Sequence, residues 1–412
     1  MKGIVAIVGG GAAGMMATIQ AAKQGANVVL VEHNDALGKK LLATGNGRCN
    51  FSNINVSSAA YYGTSPEHKH FVDEAYEAFG LADTLACFVG LGLYASCEEG
   101  RIYPRSQQGA ALRDLMLLHV ERLQQEGHVS VLCNTDVENI HSTGDGWTLR
   151  LRSQEGSSDI SAQALVLAPG GLAGPQFGSD GSVHGMLHSL GIETMPALPA
   201  LVPLTVDLQG FTRLYGVRCP HCLVQLHVDG QAVAQEQGEI HWSRQALSGI
   251  PVLDLSSRAN HALSQGSKVS LVLDFLPDFT REELSDICQP WSRSRSDIQQ
   301  RLLAGFVHAK LATLLVEKAS GQTTTPWENA LVALLKSWIV PVQGSLGYAE
   351  AQATLGGVAL HQVRADTMSV HGQPSLFLAG ELLDVVGNCG GYNLQWAWSS
   401  GAIAGISAAK VV

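Results

Sequence analysis

The first sixty residues alternate between strand-like and helix-like patterns and predict one βαβ unit. Residues 4–8 form a continuous β-branched apolar run, which is typical of a strand buried on both faces of a parallel sheet. Residues 12–24 are rich in Ala and Met with a helical pattern, and Gly25 ends that helix. Residues 28–31 form a second apolar run that closes on Glu32. A parallel pair of strands joined by a helix follows from this order.

Three glycines stand where the first strand turns into the helix, as Gly9-x-Gly11-x-x-Gly14. The first permits a tight turn, the second lets a pyrophosphate approach the backbone, and the third lets helix and strand pack closely. Glu32 ends the second strand, where a carboxylate accepts hydrogen bonds from an adenosine ribose. The arrangement predicts dinucleotide binding, with a purely structural Gly-rich turn as the alternative.

The remaining pattern predicts an α/β Rossmann-like domain in two segments with a domain inserted between them. Residues 1–195 and 343–412 carry the buried strands and helices of the first domain, and residues 196–342 form the insert. The insert reads as part β-barrel and part helical. In the outer segments we expect strands at 129–132, 148–152, 165–167 and 375–379 and helices at 114–125 and from 390 to about 409. In the insert we expect strands at 201–206, 223–228 and 269–273 and helices at 281–317 and 327–339.

Composition narrows the class of protein. The 412 residues are 46% hydrophobic and 15% charged, which excludes a disordered chain, and no apolar run is long enough to span a bilayer. The net charge of −10 disfavours a nucleic-acid coat and DNA as a partner. Eight cysteines without a secretory signal indicate a cytoplasmic protein with reduced thiols.

Three further stretches have the composition of ligand-binding loops. Residues 38–50 are Gly-rich and carry Lys39, Lys40 and Arg48, which neutralise phosphates or are solvated loop charges. Residues 168–171 follow a strand and bring a second stretch of backbone towards the nucleotide. Gly390 and Gly391 open the last helix, whose N-terminus favours an anion unless the helix is only structural.

Two long motifs now support a resemblance to a known family. Residues 38–50, ending Gly-Arg-Cys-Asn, and residues 380–400, with Gly-Glu and Gly-Gly-Tyr-Asn-Leu-Gln-Trp-Ala-Trp-Ser-Ser, resemble the BaiN/RdsA family of FAD-dependent oxidoreductases. The likeness continues through residues 198–204, 247–251 and 354–358 and so covers essentially the whole chain. It implies an FAD-binding domain of the glutathione-reductase type, interrupted by an inserted substrate domain.

The resemblance also implies where FAD is bound. The ADP half would lie on the first glycine motif, Glu32 and Val137, and the ribityl and ring portions on the later loops. The expected contacts are Gly9, Gly11, Ala12, Ala13, Gly14, Glu32, Lys40, Thr44, Gly45, Asn46, Gly47, Arg48, Cys49, Asn50, Val137, Ala168, Pro169, Gly170, Gly380, Glu381, Asp384, Gly391, Tyr392, Asn393 and Leu394.

Two positions depart from the family pattern. Asn46 stands where many relatives have Gly, and Pro169 stands where many have Thr. Because proline has no backbone N–H, one expected hydrogen bond to the flavin is absent at residue 169.

The family resemblance implies NAD(P)H-driven reduction of an activated C=C bond, with NAD(P)H binding transiently. We expect a small enone, such as a 3-oxo-4,6-diene bile acid or steroid, because the acidic chain repels polyanions. Ribosomal RNA is the second expected partner, reduced at uridine. An aminoacetone oxidase and a non-catalytic flavoprotein are the remaining alternatives.

Four residues are candidates for the chemistry. Tyr392 at the start of the last helix is a proton donor or a packing aromatic. Cys49 within the flavin motif is a proton donor, a redox thiol or a small hydrophobe. Tyr103 and Arg105 either border the site or belong to a surface turn.

The pair Cys219 and Cys222 has the spacing of a dithiol or zinc motif. It lies in the strand-rich insert rather than beside a βαβ unit, and only His221 and His227 are near it as further ligands. We therefore expect no metal site.

Overall fold

The computed structural model describes residues 3–206 and 212–412, and at residues 45, 46 and 212 the backbone alone. The contacts of the chain form two compact units. One contains the residues up to Leu198 together with Ala353–Val412, and the other is Pro199–Gln352. The functional domain boundaries expected after residues 195 and 342 stay predictions.

The first segment of the first unit contains most of its strands and helices. The strands are β1 (Ile4–Val8), β2 (Asn27–Val31), β3 (Ser52–Asn53), β4 (Tyr61–Tyr62), β5 (Ala95–Glu98), β6 (Arg101–Pro104), β7 (Val129–Leu132), β8 (Asp136–Thr143), β9 (Gly146–Ser153), β10 (Gly156–Ala162), β11 (Ala164–Leu167) and β12 (Thr194–Ala200). The helices are α1 (Ala12–Lys23), α2 (Lys39–Leu42), α3 (His68–Ala78), α4 (Leu81–Gly90), α5 (Gly109–Gln125) and α6 (Ser182–Ser189).

The second unit is a barrel with helices. Its strands are β13 (Leu204–Val206), β14 (Arg218–Val228), β15 (Gln231–Trp242), β16 (Ala246–Ser248), β17 (Val269–Asp274) and β18 (Trp338–Ser345). Its helices are α7 (Ile250–Ser264), α8 (Arg281–Cys288), α9 (Ser296–Leu303), α10 (Ala309–Ser320) and α11 (Trp327–Lys336). The strands close in the order β13-β16-β15-β14-β17-β18, which confirms the predicted barrel.

The chain then returns to the first unit. This last segment contains β19 (Ala353–Val358), β20 (Ser369–Val370), β21 (Gln373–Leu378), β22 (Val386–Gly387) and α12 (Tyr392–Lys410).

A six-stranded sheet lies at the centre of the first unit, in the order β20-β21-β11-β1-β2-β7. Neighbouring strands from β21 to β7 are parallel, and β20 is antiparallel at one edge. Strands β1 and β11 are almost wholly buried, as expected for parallel strands covered on both faces. The predicted Rossmann-like fold is thereby confirmed.

Helices α1 and α12 pack closely because α12 carries glycines at the contact. A Cβ at Gly401 would lie 2.4 Å from the carbonyl oxygen of Ala13, and one at Gly405 would lie 2.3 Å from that of Ala17. Only glycine lets the two backbones approach this far. The packing fixes the start of α12 relative to the Gly-rich turn before α1.

Three predictions about the insert are wrong in detail. The helix expected at 281–317 is three helices, because Pro290 lies in a 3₁₀ turn after α8 and removes an N–H donor. The helix expected to reach Ile339 ends at Lys336, and Ile339 lies in β18, whose side chains alternate between buried and exposed. The strand expected from Leu201 begins at Leu204, because Leu201 has a left-handed φ of 49°.

No helix within the described ranges is long and apolar enough to cross a membrane.

Candidate functional site

The turn between β1 and α1 has the geometry of a phosphate-binding loop. Gly9 has a φ of +100°, and a Cβ there would lie 2.3 Å from the carbonyl oxygen of Ala168. A Cβ at Gly14 would lie 1.8 Å from the carbonyl oxygen of Gly9. A Cβ at Gly11 would meet no heavy atom within 4 Å, so this glycine faces open space at the N-terminus of α1. Backbone N–H groups and the positive end of the helix dipole face that space.

A cleft of about 410 Å³ adjoins this turn and is lined by Gly9, Glu32, Val137, Pro169 and Gly170, among others. Glu32 is 8% exposed and accepts hydrogen bonds from the backbone N–H of Gly10 at 2.6 Å and from Asn34. A carboxylate has about four acceptor positions, so the backbone bonds orient Glu32 and leave capacity for ribose hydroxyls. The structure thus brings the predicted adenosine contacts together.

A histidine and a carboxylate meet at one wall of the cleft. His33 follows β2 and contacts Asp136 at the start of β8, with 2.5 Å between Nδ1 and Oδ1. The hydrogen bond to Asp136 is the main cause that raises the pKa of His33. The pair links the two strands beside the cleft.

Lys40 and Glu381 join two loops of the first unit. The Lys40 ammonium lies 2.8 Å from Glu381 Oε2 and 2.9 Å from the carbonyl oxygen of Ala173. Thr354 donates to Glu381 Oε1 at 2.8 Å and accepts from the N–H groups of Leu172 and Ala173. This network fixes the Glu381 carboxylate and the loop after β11.

The cations of the 38–50 stretch are mostly paired with carboxylates. Lys39 lies 2.6 Å from Asp35, and Lys40 pairs with Glu381. Arg48 pairs with Glu98, hydrogen-bonds to Gln107 and lies over the ring of Tyr103 at 4.2 Å. The predicted role of Lys39, Lys40 and Arg48 in neutralising phosphates stays a prediction.

The other residues of this stretch are placed as follows. Thr44 donates its hydroxyl to the carbonyl of Leu41, and a Cβ at Gly47 would face open space. The predicted FAD contacts of Gly45 and Asn46 lie outside what the structure describes, because only the backbone is described at these two residues. Asn50 Oδ1 is buried and has no hydrogen-bond partner among the described residues.

The start of α12 lies beside Asn50. Gly391 has a φ of +96°, and a Cβ there would lie 2.7 Å from Asn50 Oδ1 and 2.4 Å from the carbonyl oxygen of Ser52. A buried acceptor without a donor is costly, so Asn50 is poised for a ligand that donates. The positive end of the α12 dipole adds a preference for negative charge.

The remaining polar candidates are used by the protein itself. Asp384 is fully buried, and its carboxylate accepts from Thr64, from the N–H of Ser65 and from the N–H of Gly356. Asn393 exchanges two hydrogen bonds of 2.8 Å with the backbone of Gly387. Both residues position loops next to the start of α12, and a direct contact with cofactor stays a prediction for them.

The apolar and glycine candidates near α1 serve packing. Ala12 and Ala13 lie in the first turn of α1, and Gly380 is tied to α12 by hydrogen bonds with Ser400 and Trp396. Leu394 is half-buried in the first turn of α12.

Of the four catalytic candidates, Tyr392 has the best position. It begins α12, its ring meets the Tyr61 ring edge-on at 6.0 Å, and its carbonyl accepts from the Tyr61 hydroxyl. Cys49 is fully buried, and burial raises the pKa of its thiol to about 11. A thiol with this pKa is neither a ready nucleophile nor a good acid at neutral pH.

Tyr103 and Arg105 differ in exposure. Tyr103 is buried beneath the Arg48 guanidinium, whereas Arg105 is exposed beyond the end of β6. Their assignment as catalytic residues stays a prediction.

These features fit FAD. The Gly-rich turn offers a cradle for a pyrophosphate, the adjoining cleft has an oriented carboxylate for a ribose, and Asn50 offers an acceptor at the start of α12. Sequence reasoning missed Thr354, Asn34 and Asn53, because nothing in their local sequence shows what they contact across the fold.

Two thiols of the insert, Cys219 and Cys222, have the spacing of a dithiol or zinc motif. Cys219 and Cys222 are buried and free in β14, and burial raises the pKa of both, that of Cys219 to about 12. No group of three His, Cys, Asp or Glu side chains is placed to hold a metal within the described ranges.

Comparison with protein families gives one match that spans almost the whole chain. The model described as "HI0933-like protein Rossmann domain" matches residues 4–407.

Characterised relatives of similar length show two activities. The chain is 34% identical to the 3-dehydro-bile acid Δ4,6-reductase of Clostridium scindens, over 98% of this chain and 99% of that protein. It is 29% identical to the ribosomal RNA dihydrouridine synthase of Escherichia coli, over 96% and 95%. Among solved structures, the 3-ketosteroid-Δ4-(5α)-dehydrogenase of Rhodococcus jostii is similar with a TM-score of 0.50 and 14% identity, over 99% and 97% of the two chains. The last likeness concerns the fold alone.

Proposed function

We propose, from the premise that the chain belongs to the HI0933-like family of FAD-dependent oxidoreductases, that it reduces an activated C=C bond in a small enone. The substrate class is a 3-oxo-4,6-diene bile acid or steroid. Since the family members are enzymes, the alternative of a non-catalytic flavoprotein falls away.

The full-length identity to the bile acid reductase carries this proposal. It exceeds the identity to the dihydrouridine synthases, which cover the chain to a similar extent. Because the similarity covers 98% of this chain and 99% of the reductase, it includes both the FAD-binding segments and the insert.

Charge supports a small substrate over RNA. An RNA-binding patch would be formed by Lys39, Lys40, Arg48, Arg101 and Arg105, and the first three of these are paired with carboxylates. A paired cation has little capacity to release counterions from a phosphate backbone. With a net charge of −10, the chain lacks the electrostatic term that supplies most non-specific RNA affinity.

When bound and reduced, FAD supplies a hydride to the electron-poor carbon of the enone. The chain's part is to hold FAD on the Gly-rich turn and Glu32, and to position the ring end through Asn50 and the start of α12. Tyr392 is the proposed proton donor to the second carbon, because Cys49 is too weak an acid. Lys40 and Thr354 keep the Glu381 carboxylate in one orientation beside the loop after β11.

NAD(P)H is the proposed reductant. The sequence contains one complete dinucleotide fingerprint, so the reductant would bind transiently and leave before the enone enters.

An anaerobic experiment tests the function. The yellow holoenzyme is reduced with NADPH or NADH, and flavin reoxidation is followed by absorbance after adding a steroid dienone, a uridine-containing ribosomal RNA fragment or aminoacetone. Rapid reoxidation by the dienone alone is expected. Reoxidation by RNA alone would assign the chain to the dihydrouridine synthases, and reduction of the oxidised enzyme by aminoacetone would assign it as an amine oxidase.

A further inference from the structure

The small sheet β3-β6-β5 presents two different faces. Asn53 is opposite Arg101, and Arg101 is opposite Glu98, so these three side chains share one face. The other face carries Ser52 and Ile102, which are buried, and Ser52 donates to Gln395 in α12 at 2.6 Å. Because side chains alternate along a strand, the Arg101 face is the polar one.

This polar face ends at the start of α12. The Asn53 amide donates to the carbonyl of Gly390 at 3.0 Å. Arg101 Nε lies 3.7 Å from the point where a Cβ on Gly390 would stand, and the Tyr392 ring lies 3.5 Å from the same point. The Arg101 and Tyr392 side chains therefore both lie close to Gly390.

The Arg101 side chain differs from those of Lys39, Lys40 and Arg48 in having no partner among the described residues. Lys39, Lys40 and Arg48 each pair with a carboxylate. Within the described residues the Arg101 guanidinium has no hydrogen bond and no ion pair, although Glu98 is its direct cross-strand neighbour. Glu98 is bound instead by Arg48 and Gln107. A half-buried guanidinium that the fold leaves without a counter-charge is available to an anionic or strongly polar ligand.

The proposed reaction places negative charge where such a group is useful. A hydride adds to the carbon at the end of the conjugated system, and the π electrons move to the carbonyl oxygen to form an enolate. The enolate carbon then takes a proton, and the hydride comes from FAD that the nicotinamide has reduced. A cation beside the oxygen stabilises this charge more than it stabilises the neutral enone.

We propose that the Arg101 guanidinium binds the substrate carbonyl oxygen and stabilises the enolate that forms there. The inference rests on the proposed function and adds the residue that would polarise the enone. Tyr392, whose ring also lies close to Gly390, carries an exchangeable proton.

The test uses a binding measurement and a rate. Substituted phenols are added to the oxidised holoenzymes of the wild type, Arg101→Gln and Arg101→Lys, because a bound phenolate mimics an enolate and gives a long-wavelength band with oxidised flavin. The apparent pKa of the bound phenol is expected to rise by about one unit or more in Arg101→Gln. The rate of flavin reoxidation by the dienone is expected to fall about 100-fold, with partial recovery in Arg101→Lys.

Two further variants make the result specific. Arg150→Gln removes a surface charge on β9 whose partner is Asp159, and it should change neither readout. If Arg105→Gln raises the phenol pKa while Arg101→Gln does not, the proposal is wrong and the role belongs to Arg105. An Arg101→Gln enzyme with full FAD content, an unchanged phenol pKa and an unchanged rate would also overturn it. If no enone reoxidises the wild-type flavin, the proposed function itself has failed.

Discussion

Single residues at this site are explained by what the fold leaves unsatisfied. Glu32 and Asp384 are both buried carboxylates. The oxygens of Asp384 accept hydrogen bonds from several donors of the protein, whereas Glu32 borders a cleft. Among the described residues, the buried acceptor of Asn50 has no donor, and the Arg101 guanidinium has no carboxylate partner. Unsatisfied polar groups of this kind mark a ligand site more directly than the residue type does.

For Asn50 we expect opposite effects of a substitution on FAD binding and on the stability of the apoprotein. Asn50→Ala should weaken FAD binding about tenfold through one lost hydrogen bond, while the free energy of unfolding of the apoprotein stays equal or rises. Titration calorimetry with FAD and urea unfolding of the apoprotein measure the two effects. Asn53→Ala is the matched control, because it breaks a bond to Gly390 and should destabilise the apoprotein. Loss of apoprotein stability in Asn50→Ala would show that Asn50 serves the fold.

The cysteines give a second prediction at this scale. Iodoacetamide at neutral pH should label the exposed Cys97 in the native protein and spare Cys49, whose thiol has a pKa raised to about 11 by burial. Mass spectrometry of peptides identifies the labelled sites, with urea-unfolded protein as the control for full reactivity. Labelling of Cys49 as fast as Cys97 in the native protein would show that the Cys49 thiol is reactive and would contradict this prediction.

At the scale of elements, the sequence predicts those turns, strands and helix ends that depend on neighbouring residues in the chain. The glycine motif, the parallel strands and the start of α12 were predictable, because tight turns, β-branched runs and helix starts have local signals. The break after α8 has a local signal in Pro290 that the prediction of one long helix did not use. The strand at Ile339 was not predictable in this way, because its pairing with β17 joins segments far apart in sequence. The Thr354–Glu381 contact joins segments far apart in sequence, and no local pattern reveals it.

The contact between α1 and α12 gives a prediction of stability. Gly405→Ala should lower the free energy of unfolding by about 1–3 kcal/mol, since the added methyl would lie 2.3 Å from the Ala17 carbonyl oxygen. Gly185→Ala in α6 is the control, because its Cβ meets nothing within 4 Å and should stabilise the helix by about 0.5–1 kcal/mol. Urea denaturation of both variants measures the difference, and equal effects would contradict the close packing described here.

The link between β2 and β8 gives a prediction of pH dependence. The pKa of His33 is raised by Asp136, so the pair stabilises the folded state below the ordinary histidine pKa and loses this effect as pH rises through the raised value. His33→Gln should therefore lower the unfolding midpoint at about pH 5.5 and leave it nearly unchanged at about pH 9. The effect should be below about 1 kcal/mol, since both side chains are about half exposed. A larger loss of stability at about pH 9 than at about pH 5.5 would contradict a stabilising role of the protonated His33–Asp136 pair.

At the scale of the whole molecule, the net charge of this chain favours the small-molecule activity of its relatives over the RNA activity. The chain is acidic overall, and most cations of the 38–50 stretch are paired. We expect no saturable binding to a ribosomal RNA fragment at physiological salt in a fluorescence anisotropy titration. Tight binding that weakens steeply with added salt would instead favour an RNA substrate.

Analysis of the product of a single turnover tests directly whether the enzyme reduces the C=C bond of a steroid enone. Reduced holoenzyme is mixed anaerobically with an equal amount of a 3-oxo-4,6-diene steroid acid, and the product is examined by mass spectrometry after a single turnover. We expect the steroid to gain the mass of two hydrogens while the flavin becomes oxidised, with the carbonyl group intact. An unchanged steroid, in a sample whose flavin is reoxidised by uridine-containing RNA with the same mass gain, would contradict it.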